Sequence, residues 1–243
     1  MRLTRIYVDT APVTGAQLRL QGSAVTHIAR VLRLGQGNAL TIFDGRGGEY
    51  AARIAELRKD TVLVDVGEHR EIERESSLSV TLAQGISRGE RMDFVVQKAT
   101  ELGVRRIAPV TTERSVVRIE YGQAAEKRLR HWRAIAVSAC EQCGRNRLPE
   151  IAAPQSFAAW LASLTPHTVR LLLSLEGGSA SELPAATGLT LLIGPEGGLT
   201  DEEQRRARAA GFIGLRLGPR VLRTETAALA ALAVLQQRFG DLC

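Results

Sequence analysis

The 243-residue chain has no uninterrupted apolar run near the roughly 20 residues that a membrane helix needs, so no membrane partner is expected. Its first ten residues, MRLTRIYVDT, contain no apolar core of a secretory signal, and a cytoplasmic location is the expectation. Only three cysteines occur. Cys140 and Cys143 form a C-x-x-C, but no second ligand pair stands at matching spacing, so neither zinc nor another metal is expected. A thioredoxin-like pair opens a helix after a strand. This one ends a long helical pattern, where thiols at i and i+3 share a face and act as small apolar groups. Cys243 is terminal and expected to fray. There is no G-x-x-x-x-G-K-[ST] loop, no strand-to-helix G-x-G-x-x-G and no repeat of solenoid period. The commonest phosphate cradles and solenoid architectures are thereby excluded.

What is present is basic and globular. Lys and Arg number 32 against 26 Asp and Glu, for a net charge of +6 and a pI near 9.8, which favours a polyanionic partner. An apolar fraction of 44% suits a globular protein with a sizeable core. Residues 1–72 hold ten Lys/Arg and eight Asp/Glu, a net +2, so nucleic-acid binding there must come from clustering.

The stretch Leu189–Gln237 organises the chain. Five apolar residues run into Gly194-Pro195-Glu196-Gly197-Gly198, a buried strand ending in a tight loop. A phosphate cradle wants Lys or Arg beside the glycines; Glu196 suits hydroxyl, amino or cationic groups better. Thr200 and Glu203 make a capping box, Asp201 and Glu202 complement the helix dipole, and Gly211 ends the helix. Phe212–Leu217 repeats the plan as a strand broken by Gly218-Pro219. Arg223-Thr224-Glu225-Thr226 then leads into an Ala/Leu-rich helix ended by Gly240. Two strands thus deliver two loops to one edge, where α/β sheets bind ligands.

Upstream, residues 1 to about 70 read as β-rich, with strands expected at Arg5–Val8, Ser23–Val25, Ala39–Phe43, Glu49–Glu56 and Val62–Val66 and a short helix at His27–Leu34. Residues 67–77, GEHREIERESS, have a linker's composition and place a boundary between domains 1–72 and 73–243. Beyond it strands and helices alternate, predicting a mainly parallel sheet. The strands are expected at Leu78–Gln84, Ile107–Val110 and Val169–Leu175. A helix capped by Ser87 and Glu90 runs to Leu102, and another spans Glu126–Gln142.

The two loops together, with Ser87-Arg88-Gly89-Glu90, Lys98–Val104, Cys140–Arg145 and the N-terminal Arg5-Ile6-Tyr7, resemble the bacterial 16S ribosomal RNA uridine-N3 methyltransferases of the SPOUT superfamily. The resemblance covers nearly the whole chain in order. It implies an α/β C-terminal domain with a deep trefoil knot, a small PUA-like N-terminal β-barrel, S-adenosylmethionine as cofactor and a homodimer. It further implies 16S rRNA in the assembled small ribosomal subunit as partner, methylated at a uridine of the decoding region. It places the cofactor against Leu173, Ser174, Ile193, Gly194, Glu196, Gly197, Leu217, Gly218, Leu222 and Thr224.

Uridine N3 carries a proton at neutral pH and needs a base within hydrogen-bond reach; a cation near O2 or O4 holds the anion that forms. Glu225 and Arg223 are the candidates, although Thr224 capping the helix and Glu225 complementing its dipole explain the same segment structurally. Arg2, Arg5, Arg30, Arg33, Arg88, Arg114 and Arg145 are candidate RNA contacts, since guanidinium groups bind phosphate and stack on bases. Two rivals stand beside this reading. One is a non-catalytic RNA-binding or ribosome-assembly protein. The other is a ribose 2′-O methyltransferase, whose usual Ser-Leu-Asn before the last helix is replaced here by Arg-Thr-Glu-Thr.

Overall fold

A computed structural model describes residues 4–117, 122–165 and 169–242. Arg2, part of the segment at 119–125 and Cys243 fall outside them. The chain divides into two units, Met1–Glu75 with Cys140–Leu148, and Ser76–Ala139 with Pro149–Cys243.

The first unit is a five-stranded sheet built from β1 (Arg5–Tyr7), β2 (Gln17–Leu20), β3 (Ala39–Phe43), β4 (Glu49–Leu57) and β5 (Val62–Arg70), in the order β1-β3-β4-β5-β2. Only β1 and β3 run parallel. Ile6, Ile28, Leu40, Ile42, Ile54, Val62 and Val64 form its core. Two sequence expectations are corrected here, and one strand is added. Ser23–Val25 is not a strand but part of α1 (Ser23–Thr26), which continues as a π-helix over His27–Val31. Gly22, at φ 64°, turns the chain into it. Strand β2 lacked any clear signal. Finally, β5 runs on to Arg70 through the expected linker, because Tyr50 and Glu49 continue the ladder opposite His69 and Arg70.

A buried polar cluster closes this unit. Arg5 donates to Glu49 at 2.5 Å and to Asn146, and its guanidinium stands 4.7 Å from the centre of the Phe43 ring. Asn146 also donates to Glu49 (3.2 Å) and to the Ile72 carbonyl. Arg145 grips Glu75 through two bonds, 2.9 and 2.6 Å. Arg5 and Arg145 are only 7% and 4% exposed, and each guanidinium is paired with a carboxylate, Glu49 and Glu75 respectively. Removing one partner of a buried ion pair strands the other, so Arg5→Ala is expected to cost about 3–5 kcal/mol. Urea unfolding measures it; an unchanged midpoint with weakened RNA binding would instead make Arg5 a phosphate contact. Burial pushes the Glu49 carboxyl up, but hydrogen bonds from Arg5 and Asn146 outweigh it and hold the group below the usual carboxylate range. A depressed carboxylate stabilises the fold above that range and loses the contribution as pH falls through it.

The second unit is an all-parallel sheet. Its strands are β6 (Ser79–Gly85), β7 (Arg106–Thr111), β8 (Glu150–Ile151), β9 (Gln155–Ser156), β10 (Val169–Gly178), β11 (Gly188–Ile193) and β12 (Phe212–Leu215). The order is β12-β10-β11-β6-β7-β8, with β9 also on β7. Helices α2 (Glu90–Glu101), α3 (Gln123–Cys143), α4 (Phe157–Ala162), α5 (Asp201–Ala209) and α6 (Thr224–Phe239) complete it. Successive strand residues point to opposite faces. Leu82, Leu171, Leu191 and Ile193 pack with Met92, Val96, Trp132, Leu232 and Leu235 on one side. Ala83, Leu172 and Leu192 pack with Phe157, Trp160 and Ala207 on the other. Trp132, Ala136 and Ala139 are buried along α3, and of its two thiols Cys140 is buried and Cys143 partly so. The Ser87 capping box is also corrected: Gly89 is the N-cap of α2, and the Ser87 hydroxyl donates to the Gly85 carbonyl at 3.3 Å. Among the described residues no helix is long and apolar enough to cross a membrane, and no cluster of three metal-ligating side chains occurs.

Candidate active site

At the carboxyl ends of β10, β11 and β12 lies a cavity of about 650 Å3. Each wall has a local cause. Strand β10 slips register against β12 between Leu173 and Gly178, so that Ser174–Glu176 leave the ladder and line the cavity. Bulges of this kind re-aim side chains beside functional sites. After β11 the chain turns within Pro195–Gly198, where the Gly198 amide donates to the Pro195 carbonyl at 2.9 Å. Gly194 permits the turn: a Cβ there would stand 3.0 Å from the Leu199 nitrogen and 3.1 Å from Gly198. The turn feeds α5, whose predicted capping box is present: Thr200 accepts from the Glu203 amide (3.2 Å) and Glu203 from the Thr200 amide (3.0 Å). Glu203 also accepts from the Glu113 amide at 2.9 Å, tying the loop after β7 to the same place.

All ten residues expected to hold a cofactor line this cavity: Leu173, Ser174, Ile193, Gly194, Glu196, Gly197, Leu217, Gly218, Leu222 and Thr224. Arg223 and Glu225 line it as well. Thr224 is not the cap that its sequence position suggested. Arg223 is the N-cap of α6, without a side-chain cap bond, and the Thr224 hydroxyl donates to the Gly194 carbonyl at 2.6 Å. The first turn of α6 is therefore pinned to the loop after β11.

Two carboxylates differ in their surroundings. Glu196 Oε1 accepts from the Arg88 amide and from Arg91, both at 3.0 Å. Burial raises this carboxyl, but those bonds and the Arg91 charge outweigh it and hold it below the usual range, so it stays ionised. Glu196 Oε2 and Glu225 Oε2 are buried without a hydrogen-bond partner among the described residues. A buried acceptor left unpaired costs free energy, so a ligand with donor groups is the natural complement.

Arg220 and Val221, inside the second loop's motif, also line the cavity, as do Arg91 and Gln204, which had no signal in the sequence. Arg91 is recognisable only once the start of α2 is seen beside the Glu196 loop. Of the expected RNA contacts, Arg88 and Arg114 are exposed, and Arg114 donates to the Gly197 carbonyl at 3.2 Å. Arg30 and Arg33 are exposed on the N-terminal unit, Arg33 with a φ of 52°.

Comparison with known proteins agrees with this geometry. Residues 74–236 match the RNA methyltransferase domain family and residues 20–67 the RNA methyltransferase PUA domain family. Ribosomal RNA small subunit methyltransferase E of Buchnera aphidicola (subsp. Schizaphis graminum) is 35% identical, over 99% of this chain and 98% of its own. The enzyme of that name from Neisseria gonorrhoeae, solved bound to S-adenosyl methionine, is 37% identical with a TM-score of 0.92, over the full length of both chains. A Legionella pneumophila protein described as a methyltransferase, solved with SAM bound, is 43% identical with a TM-score of 0.96, again over the full length of both. The N-terminal sheet is accordingly a PUA-like domain and the parallel sheet an RNA methyltransferase domain. The chain belongs to the RNA methyltransferase family that includes ribosomal RNA small subunit methyltransferase E.

Proposed function

We propose that this protein transfers a methyl group from S-adenosylmethionine to N3 of a uridine in the RNA of the small ribosomal subunit. SAM-dependent methylation of 16S rRNA is the activity of its family; the choice of N3, of a decoding-region uridine and of the assembled 30S subunit as substrate is the finer part of the proposal. The observation that carries it is Glu225, which lines the cavity with one buried carboxylate oxygen unpartnered, next to Arg223.

The residues fit the cofactor. The cavity has the size of a small-molecule site. Its acceptors, Glu196 Oε2 and the carbonyls of the turn, suit the amino and hydroxyl groups of a nucleoside carrying an amino acid. Bound there, S-adenosylmethionine supplies a methyl group made electrophilic by its sulfonium. Glu225 accepts the N3 proton of uridine, and Arg223 holds the negative charge that spreads onto the base oxygens. Arg88 and Arg114, exposed on loops beside the cavity residues Glu196 and Gly197, contact the RNA backbone, and Arg30 and Arg33 do so from a PUA-like domain of residues 1–72. The methyltransferase domain then comprises residues 73–243. A trefoil knot belongs to the same reading.

The reading includes a homodimer. Helix α6 buries Ala228, Leu232 and Leu235 within the protomer, yet its outer face keeps Val234 36% exposed, and α2 exposes Phe94 at 44%. A helix apolar on more than one face needs a second cover. Sedimentation should find a dimer, and a stable, active monomer would remove this part of the proposal.

The activity is tested with purified 30S subunits lacking the modification, labelled S-adenosylmethionine and mass spectrometry of the digested RNA. The expected product is 3-methyluridine. A ribose-methylated nucleoside, or no transfer, would overturn the assignment.

A further inference from the structure

Gln84, the penultimate residue of β6, is fully buried and does not line the cavity, yet its amide controls a residue that does. Its Nε2 donates to the Gly85 carbonyl at 3.0 Å and to the Thr224 hydroxyl at 2.9 Å. The chemistry fixes the direction of each bond. A carbonyl only accepts, so the group facing Gly85 is the NH2; a hydroxyl that accepts from that NH2 directs its own hydrogen elsewhere, here to the Gly194 carbonyl at 2.6 Å. The result is a one-way relay, Gln84 to Thr224 to Gly194, joining the ends of β6 and β11 to the first turn of α6. Gln84 Oε1 has no hydrogen-bond partner among the described residues, so the amide is held only through what it donates.

The relay explains why a threonine stands at 224. Its hydroxyl does not cap α6 and its branched side chain is no asset in a helix. Thr224 lies between Arg223 and Glu225, and one bond from the residue that opens the Gly194–Gly198 turn. Gln84 is opposite Ile193 in the register of β6 and β11, so the strand that carries the turn also fixes the height of the amide. The structure assigns Gln84 as a positioning residue of the methyl-transfer site: acting through Thr224, it sets where the Arg223–Glu225 segment stands relative to the cofactor turn. This rests on the proposed function, and deepens it with a residue that touches neither cofactor nor RNA.

Single-turnover methylation of 30S subunits at saturating S-adenosylmethionine tests the assignment. Gln84→Met keeps the volume and removes both donors. The rate should fall about ten-fold or more, because small misplacement of a reacting group is costly. Cofactor affinity by calorimetry and KM for 30S subunits should stay within about three-fold, a split that general loosening of the fold would not give. Thr224→Val should show the same loss, and Thr224→Ser, which keeps the hydroxyl, should retain most of the rate that Val loses. Combining Gln84→Met with Thr224→Val should add little to either alone, as residues acting through one contact are non-additive. Should Gln84→Met fail to fold, the Val and Ser variants carry the test. A rate within two-fold of wild type in Gln84→Met or in Thr224→Val, or full additivity in the double variant, overturns the assignment. Absence of transfer by the wild-type chain overturns the proposed function and the assignment with it.

Discussion

Glu225→Gln should lower the methyl-transfer rate about 10²–10⁴-fold while cofactor affinity changes little. Glutamine preserves the size of the side chain and an acceptor oxygen, and so leaves the cavity's shape intact. What it loses is the capacity to take a proton. Uridine N3 is a poor nucleophile until its proton leaves, so a variant unable to receive it should stall with both ligands bound. Arg223 flanks the same turn on its other side, and Arg223→Gln should also slow transfer, by a smaller factor, since an anion held less tightly still forms. Stopped single turnovers, with calorimetry for cofactor affinity, separate the two. Transfer by Glu225→Gln within two-fold of wild type would move the proton acceptor elsewhere in the cavity.

The second large effect is expected from one methyl group placed outside the cavity lining. A Cβ on Gly85 would stand 2.4 Å from the Pro195 nitrogen, 2.6 Å from its ring and 2.8 Å from the Gly194 carbonyl carbon. These backbone and ring atoms of the turn cannot yield as a flexible side chain would. Gly85→Ala must therefore push the end of β6 away from the Gly194–Gly198 turn. That turn supplies a wall of the cavity, and S-adenosylmethionine affinity should drop about 100-fold or more, with a clear loss of thermal stability. Calorimetry and melting curves read both. Wild-type affinity in this variant would show that the turn is dispensable for the cofactor.

Local chemistry made much of this architecture legible. The Thr200–Glu203 capping box, Gly211 after α5 and Gly240 after α6 lie where the sequence put them, because each signal is satisfied within a few residues. The apolar run that became β11 is buried on both faces in a parallel sheet, and the core of β10, Leu171 and Leu172, likewise, so a short apolar run ending at Gly or Pro was enough to mark them. Ser23–Val25 misled because a small β-like run also fits a short helix, and only Gly22 and the continuing π-helix decide between them. The burial of Arg5 and Arg145 was illegible for a different reason. Exposed and buried arginines look alike in sequence, and the groups that bury Arg5 lie 44 and 141 positions away. Thr224 stood where a cap is common, and its actual partners, Gln84 and Gly194, are 140 and 30 positions distant.

The grouping of Cys140–Leu148 with the N-terminal unit bears on the order in which the chain folds during synthesis. Glu49 is matched to Arg5 early, but Asn146, which donates to Glu49 and accepts from Arg5, leaves the ribosome far later. Glu75 likewise waits for Arg145. At about 5–20 residues per second the roughly 70 intervening residues take about 4–14 s. The emerging N-terminal sheet therefore spends seconds with its polar seam unfinished after its own strands have left the exit tunnel. A nascent chain arrested before residue 145 should accordingly remain protease-sensitive at Glu49–Arg70, and one arrested well beyond Leu148 should not.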